Sequence, residues 1–236
     1  MRSRYTPQQI VPEIGKSGQE ALESAKVLVI GAGGLGTPVA TYLATAGVGK
    51  IGIVDGDKIS ESNLHRQFMY RSNEVGELKV QVLKQRLSEL NPQSEISTFP
   101  FFLDDINAEE LFKQYTIICD CSDNAKTRLL TDRFCKIQNK PLVYAAVRDW
   151  QGYLTVLHHR NNIELGDLFS MEQLQETENC SIAGIVNTTC GILGSLQACE
   201  AIKIVIGQIS ELDGKILCVD TQHSAFKLFR IKRVNS

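Results

Sequence analysis

Residues 26–36 read Lys26-Val27-Leu28-Val29-Ile30-Gly31-Ala32-Gly33-Gly34-Leu35-Gly36, and their order decides the fold. The apolar run from Val27 to Ile30 predicts a strand buried on both faces. A glycine-rich turn follows at once and leads into a helical stretch that ends near Ala46. In such a turn Gly31 permits the tight bend, Gly33 and Gly34 let the backbone approach a ligand, and Gly36 lets the helix pack close. The helix N-terminus offers unpaired N–H groups and a positive dipole end to an anion. The next strand, Lys50 to Val54, stops at Asp55-Gly56-Asp57, where the Asp55 carboxylate can accept hydrogen bonds from ribose hydroxyls. A glycine fingerprint alone can be a structural turn. With a strand before it, a helix after it and an acidic strand end in register, it predicts a nucleotide site.

The same alternation continues outward. Glu74 to Leu90 has helical spacing and ends at Asn91-Pro92. Ile96 to Phe102 and Tyr115 to Cys121 read as strands, Lys126 to Ile137 as a helix, and Pro141 to Val147 as another strand. That rhythm predicts an α/β, Rossmann-like, doubly wound and mainly parallel sheet. Beyond it lie a strand from Gly152 to His158, a polar loop over 160–182, a helix from Asn187 to Ile206, and strands over 215–219 and 226–233. The expected organisation is one domain over 1–236. It comprises an N-terminal helical arm (1–25), a nucleotide-binding half (26–150) and a second half (151–236) that ends in antiparallel strands.

Composition excludes several classes. The 236 residues carry 25 Lys+Arg against 27 Asp+Glu, a net charge of -2 that argues against a nucleic-acid binder. The N-terminus lacks the apolar core of a signal peptide, and Gln197, Glu200 and Lys203 interrupt the most apolar late segment, so no membrane span is expected. Seven cysteines, at 119, 121, 135, 180, 190, 199 and 218, cannot all pair, which favours a reduced cytoplasmic protein.

Three features beyond the fingerprint point to ATP rather than a nicotinamide. Asn63-Leu64-His65-Arg66-Gln67 follows the acidic strand end, and Gly76-Glu77-Leu78-Lys79 places a lysine at a helix start facing the same crevice. Asp120-Cys121-Ser122-Asp123-Asn124 sits at the carboxyl end of a third strand, where open α/β sheets bind ligands. Arg66 and Lys79 suit a triphosphate, and an aspartate at that edge suits Mg²⁺. A solvated charge or a helix cap is the plain alternative for each taken singly.

The sequence resembles the ThiF/MoeB/HesA family, bacterial relatives of ubiquitin-activating enzymes. The resemblance rests on Arg4-Tyr5, Gly18-Gln19, Gly31 to Gly36, Ala46 to Gly49, Asp55, Asn63 to Gln67, Gly76, Lys79, Asp120 to Asn124, and Gly194 to Ala198 with Glu200 to Lys203. It implies ATP-dependent adenylation of the C-terminal glycine of a small ubiquitin-like sulfur-carrier protein ending in Gly-Gly. Asp55 would then hold the ribose, Asn63, Arg66 and Lys79 the phosphates, and Asp123 a Mg²⁺ ion. Asp57, Gln67 and Asn124 would complete the nucleotide pocket above the glycine loop. The second half would bind the carrier, with its tail beneath the 160–182 crossover loop. A homodimer and a cysteine desulfurase or rhodanese sulfur donor are further implications.

Cys180 matches a family thiol that can be joined to the activated carrier, and its place before a helix favours a lowered pKa. Two departures stand beside it. The paired Cys-x-x-Cys motifs of zinc-bearing members are missing, so no zinc is expected; His158 and His159, on opposite faces of a strand, would not serve one ion. Pro7 also stands where the family's arm carries an arginine that reaches a neighbouring subunit's phosphates, which leaves Arg2 or Arg4 to substitute. Thiamine (thiazole) biosynthesis is the favoured pathway. A molybdopterin-synthase carrier, a tRNA threonylcarbamoyladenosine dehydratase activity and a non-catalytic nucleotide-binding protein are the alternatives.

Overall fold

A computed structural model describes residues 4–170 and 184–233. Its centre is one eight-stranded sheet in the order β3-β2-β1-β4-β5-β6-β7-β8. Strands β1 (Lys26–Ile30), β2 (Lys50–Val54), β3 (Glu95–Phe99), β4 (Ile117–Asp120) and β5 (Leu142–Arg148) run parallel. Strands β6 (Gln151–Leu157), β7 (Lys215–Asp220) and β8 (Ala225–Arg230) continue the sheet antiparallel. The expected Rossmann-like sheet with antiparallel C-terminal strands is the one observed.

Period-two alternation sorts the side chains into two cores. Val27 and Val29 face one side, Leu28 and Ile30 the other. The first side is covered by α3 (Gly36–Ala46), α4 (Lys79–Leu90) and α7 (Asn187–Val205), the second by α5 (Asp105–Lys113) and α6 (Ala125–Gln138). A Cβ at Gly194 would lie 2.4 Å from Pro38 Cγ and 2.9 Å from the Leu35 carbonyl oxygen, so this glycine sets how closely α7 crosses α3. Among the described residues no helix is long and apolar enough to cross a membrane.

The arm forms α1 (Thr6–Gln9), with Pro7 in its first turn, and α2 (Gly15–Ser24). It is pinned by Asn91, which is fully buried. Asn91 Nδ2 donates to Tyr5 Oη and the Ala44 carbonyl, both at 2.7 Å, and Asn91 Oδ1 accepts from Arg4 Nη1 at 2.7 Å. Asn91→Ala strands these partners and is expected to cost about 2 kcal/mol. A fall in melting temperature of about 4–8 °C, read by calorimetry, would report it.

Four expectations are corrected. The helix predicted from Glu74 starts only at Lys79; Ser72–Glu74 is a short 3-10 turn, Gly76 has φ of 95°, and Leu78 is extended and bridges Lys58. A helix that the pattern did not announce, α5, starts from Asp104, whose carboxylate accepts from the N–H groups of Ile106 and Asn107 at 2.9 Å. Phe102 lies beyond β3 rather than in it. His158 is not on a strand: it has φ of 51°, and its Nε2 lies 2.7 Å from Asp132 Oδ1. In the crossover segment Ile163 and Leu165 are buried in the second core, and Leu165–Asp167 is a 3-10 turn. Residues 171–183, Cys180 among them, lie outside the described residues.

Candidate functional site

A cavity of about 370 Å³ opens at the carboxyl ends of β1, β2 and β4, where the strand order reverses. It gathers the glycine loop, Asp55, Asn63, Arg66, Lys79 and Asp123 at one place. Those residues are scattered over more than ninety positions of sequence, and only the parallel winding joins them.

The glycines have separate reasons. Gly31 has φ of 97°, and a Cβ there would meet the Cys121 carbonyl oxygen at 2.9 Å. A Cβ at Gly36 would stand 1.9 Å from the Gly31 carbonyl oxygen. Gly33 lines the cavity, and a Cβ there would make only an ordinary van der Waals contact with Gln67 Nε2 at 3.5 Å. Gly34 lines the cavity too, and its missing side chain also makes room for Cys190 Sγ, 3.0 Å from the Cβ position.

Asp55 ties the loop to β2. Its Oδ2 accepts from the Ala32 N–H and its Oδ1 from the Asp57 N–H, both at 2.7 Å. Burial pushes the Asp55 carboxyl up while nearby Lys79 pulls it down. Tyr70, which carried no signal in the sequence, donates its hydroxyl to the Ala32 carbonyl at 2.7 Å.

The cations are held in place. Lys79 is buried at the first position of α4, and its Nζ sits 2.8 Å from Asp57 Oδ2. Arg66 Nη1 donates to the Ser62 carbonyl at 3.0 Å and lies 2.9 Å from His65 Nε2. Gln67 is buried, and its Oε1 has no partner among the described residues. Across the cavity Asp123 is exposed, whereas the Asn124 side-chain carbonyl caps α6 by accepting from the Thr127 N–H at 2.9 Å. Asn124 keeps both amide N–H groups free of that cap to offer a ligand.

Several lining residues escaped the sequence reading, Phe102, Arg128 and Cys190 among them. Phe102 is 68% exposed and lies on Gly56, where a Cβ would meet the ring at 2.9 Å. Its aromatic character read as strand, and only the close glycine marks it. Arg128 is a buried cation in α6. Cys190, in the first turn of α7, has its thiol pushed up to about 11 by burial, despite the opposing pull of Arg66.

Among the described residues no three His, Cys, Asp or Glu side chains converge as a metal cage. One exposed carboxylate, Asp123, beside a phosphate-sized cavity does fit Mg²⁺. That ion keeps several waters and takes one or two carboxylates together with substrate phosphates.

Comparison with known proteins gives a consistent result. The profile described as "ThiF family" matches residues 5–236. The chain is 37% identical to a sulfur carrier protein adenylyltransferase of Thermus thermophilus, covering 98% of this chain and 87% of that protein. It is 35% identical to a probable molybdopterin-synthase adenylyltransferase of Gracilaria tenuistipitata var. liui, covering 99% of this chain and 66% of that one. The chain spans only 51–60% of several further relatives, among them proteins named adenylyltransferase and sulfurtransferase MOCS3. In fold it matches E. coli MccB, solved with ATP, at a TM-score of 0.84 and 20% identity over 99% of this chain and 73% of that one.

Proposed function

The chain belongs to the ThiF family, and from that membership we propose that it adenylates the C-terminal glycine of a small ubiquitin-like sulfur-carrier protein. The observation that carries this reading is the meeting of the glycine loop, Arg66, Lys79 and Asp123 around one cavity. A carboxylate is a poor acyl donor because its leaving group would be oxide. When its oxygen attacks the α-phosphorus of ATP, a P–O bond forms, the α–β P–O bond breaks, and pyrophosphate leaves with the electron pair. The product is a mixed anhydride. Such chemistry needs positioning and charge neutralisation more than proton transfer.

In this reading Gly33 and the α3 N-terminus lie against the phosphates. Asp55, already fixed by two backbone N–H groups, turns its free lone pairs to the ribose hydroxyls. Asn63 and Arg66 hold phosphate oxygens, and Lys79 leaves Asp57 for the triphosphate. Mg²⁺ on Asp123 would offset charge on the departing pyrophosphate. Gln67 and the Asn124 amide border the nucleotide. Phe102 covers the base: Phe102→Ala should raise the KM for ATP about tenfold with little change in kcat, the loss of one stacked base. An unchanged KM would remove Phe102 from the pocket.

The second half, 151–236, would receive the carrier and lead its tail beneath the crossover segment. Cys180, Mg²⁺, a homodimer and a sulfur donor of the desulfurase or rhodanese kind belong to the same proposal. Two carriers remain in play. The thiazole reading rests on Cys180 and on the missing cysteine pairs; the names of the relatives bring the molybdopterin carrier forward beside it. ATP–pyrophosphate exchange with each carrier in turn tests the activity and separates the pathways.

A second reading has its own observation. Pro7 carries no charge, and the Arg4 guanidinium is engaged with the Leu90 carbonyl and Asn91 of its own chain. A nucleotide-binding protein without adenylation chemistry would look like this. ATP binding with no exchange on any carrier would favour it.

A further inference from the structure

Gln197 lies in the middle of α7 and is fully buried between helix and sheet. A buried amide costs free energy unless its donors and acceptor are all used. Here they are: Gln197 Nε2 donates to the Asp120 carbonyl at 2.8 Å and the Val143 carbonyl at 2.9 Å. Its Oε1 accepts from the Cys121 thiol at 3.3 Å. One side chain therefore joins the last residue of β4, the first residue beyond it, and β5.

Arg128 holds the next peptide unit from α6. Its Nη2 donates to the Ser122 carbonyl at 3.1 Å, and its guanidinium lies 5.7 Å from the centre of the buried Tyr144 ring. Arg128 is 6% exposed, and its Nε has no partner among the described residues. Asp120 closes the set, its Oδ1 accepting from the Ser122 N–H at 2.9 Å. Every backbone unit from Asp120 to Ser122 is thus fastened by a side chain, and the chain then delivers Asp123 to the cavity.

We infer that Gln197 and Arg128 are positioning residues that set the place of the Asp123 carboxylate, and with it the cation-dependent share of nucleotide binding. A core that needed only volume at position 197 would be served by a leucine like its neighbours Leu193 and Leu196. Glutamine is required because two carbonyls and a thiol need partners at the point where the strand becomes the loop. The inference rests on Asp123 holding Mg²⁺ in the adenylation reading.

The test is calorimetric titration of the full chain with ATP, once with Mg²⁺ and once with EDTA, which needs no carrier and no turnover. The variants are Gln197→Met, which keeps the volume and loses the hydrogen bonds, and Arg128→Lys, which keeps the charge and loses the fork and the ring contact. Each should reduce the affinity gained from Mg²⁺ about tenfold, as loss of an outer-shell partner does. Affinity in EDTA should stay within about a factor of two for Gln197→Met; Arg128 lines the cavity, so for Arg128→Lys the loss with Mg²⁺ should exceed the loss in EDTA about tenfold. Added to Asp123→Asn, Gln197→Met should cost nothing further, because the carboxylate it places is gone. Equal losses with and without Mg²⁺, full additivity with Asp123→Asn, or wild-type gains in both variants would overturn the inference. So would a wild-type protein that gains nothing from Mg²⁺. If the variants behave as expected but no carrier supports exchange, the adenylation reading fails and the positioning role stands. Should Gln197→Met not fold, Arg128→Lys decides alone.

Discussion

Lys79→Ala lowers carrier-dependent pyrophosphate exchange by about 10²–10³, the usual loss when one preorganised charge is taken from a developing anion. The reason is local bookkeeping of charge. Asp55 and Asp57 both line the cavity with Lys58, Arg66 and Arg128, and Lys79 Nζ, 2.8 Å from Asp57 Oδ2, is the cation paired with Asp57. Its side chain is only 7% exposed, so it meets its partners with little water between them. Without it a triphosphate would enter beside an Asp57 carboxylate that has lost its ion pair. Lys79→Arg keeps the charge and should retain more exchange than Lys79→Ala. Rates measured at saturating ATP and carrier check the effect. A loss below about tenfold would mean that Arg66 and the loop N–H groups hold the phosphates without help.

Gly36→Ala abolishes ATP binding and lowers the melting temperature. The added Cβ would meet the Gly31 carbonyl oxygen at 1.9 Å and its carbon at 2.8 Å. Both are backbone atoms, so no rotamer change relieves the clash; the turn or the start of α3 must shift. An overpacked core costs about 3 kcal/mol at the upper end of the usual range. In a chain of this size that is a fall of about 6–12 °C. Gly33→Ala is the contrasting case. Its Cβ would make an ordinary van der Waals contact with Gln67 Nε2 at 3.5 Å, so the fold should keep its melting temperature while ATP affinity drops. Differential scanning calorimetry and ATP titration on both variants separate the two roles. A Gly36→Ala protein with wild-type stability and binding would contradict the loop geometry.

Much of this architecture is legible in the chain because its signals are local and repeated. Uninterrupted apolar runs such as Val27 to Ile30 belong to strands covered on both faces, and Asn91-Pro92 stops a helix wherever it falls. The nucleotide site is legible for the same reason: glycine turn, acidic strand end, Lys79 and Asp123 each sit at the end of a regular element. What escaped depends on contacts between distant residues. Helix α5 is short and is started by the Asp104 cap, so its apolar positions are too few to show a period. His158 leaves its strand for a left-handed turn, where its ring meets Asp132 of α6. Gly34 reads as a ligand contact in the motif, and the second demand on it, room for Cys190 more than a hundred residues away, has no local signal. The positions of Arg128 and Gln197 could not be read locally because their partners, the Ser122 carbonyl for one and the Asp120 and Val143 carbonyls with the Cys121 thiol for the other, lie on other elements.

Exchange of labelled pyrophosphate into ATP, measured with Mg²⁺ and a sulfur carrier ending in Gly-Gly, tests the central claim most directly. The reaction runs backward from the acyl adenylate, so it reports the activated carboxylate itself. The account predicts exchange with the intact carrier and none when its last glycine is removed. Exchange without any carrier, or ATP binding with no exchange on any Gly-Gly carrier, would contradict it.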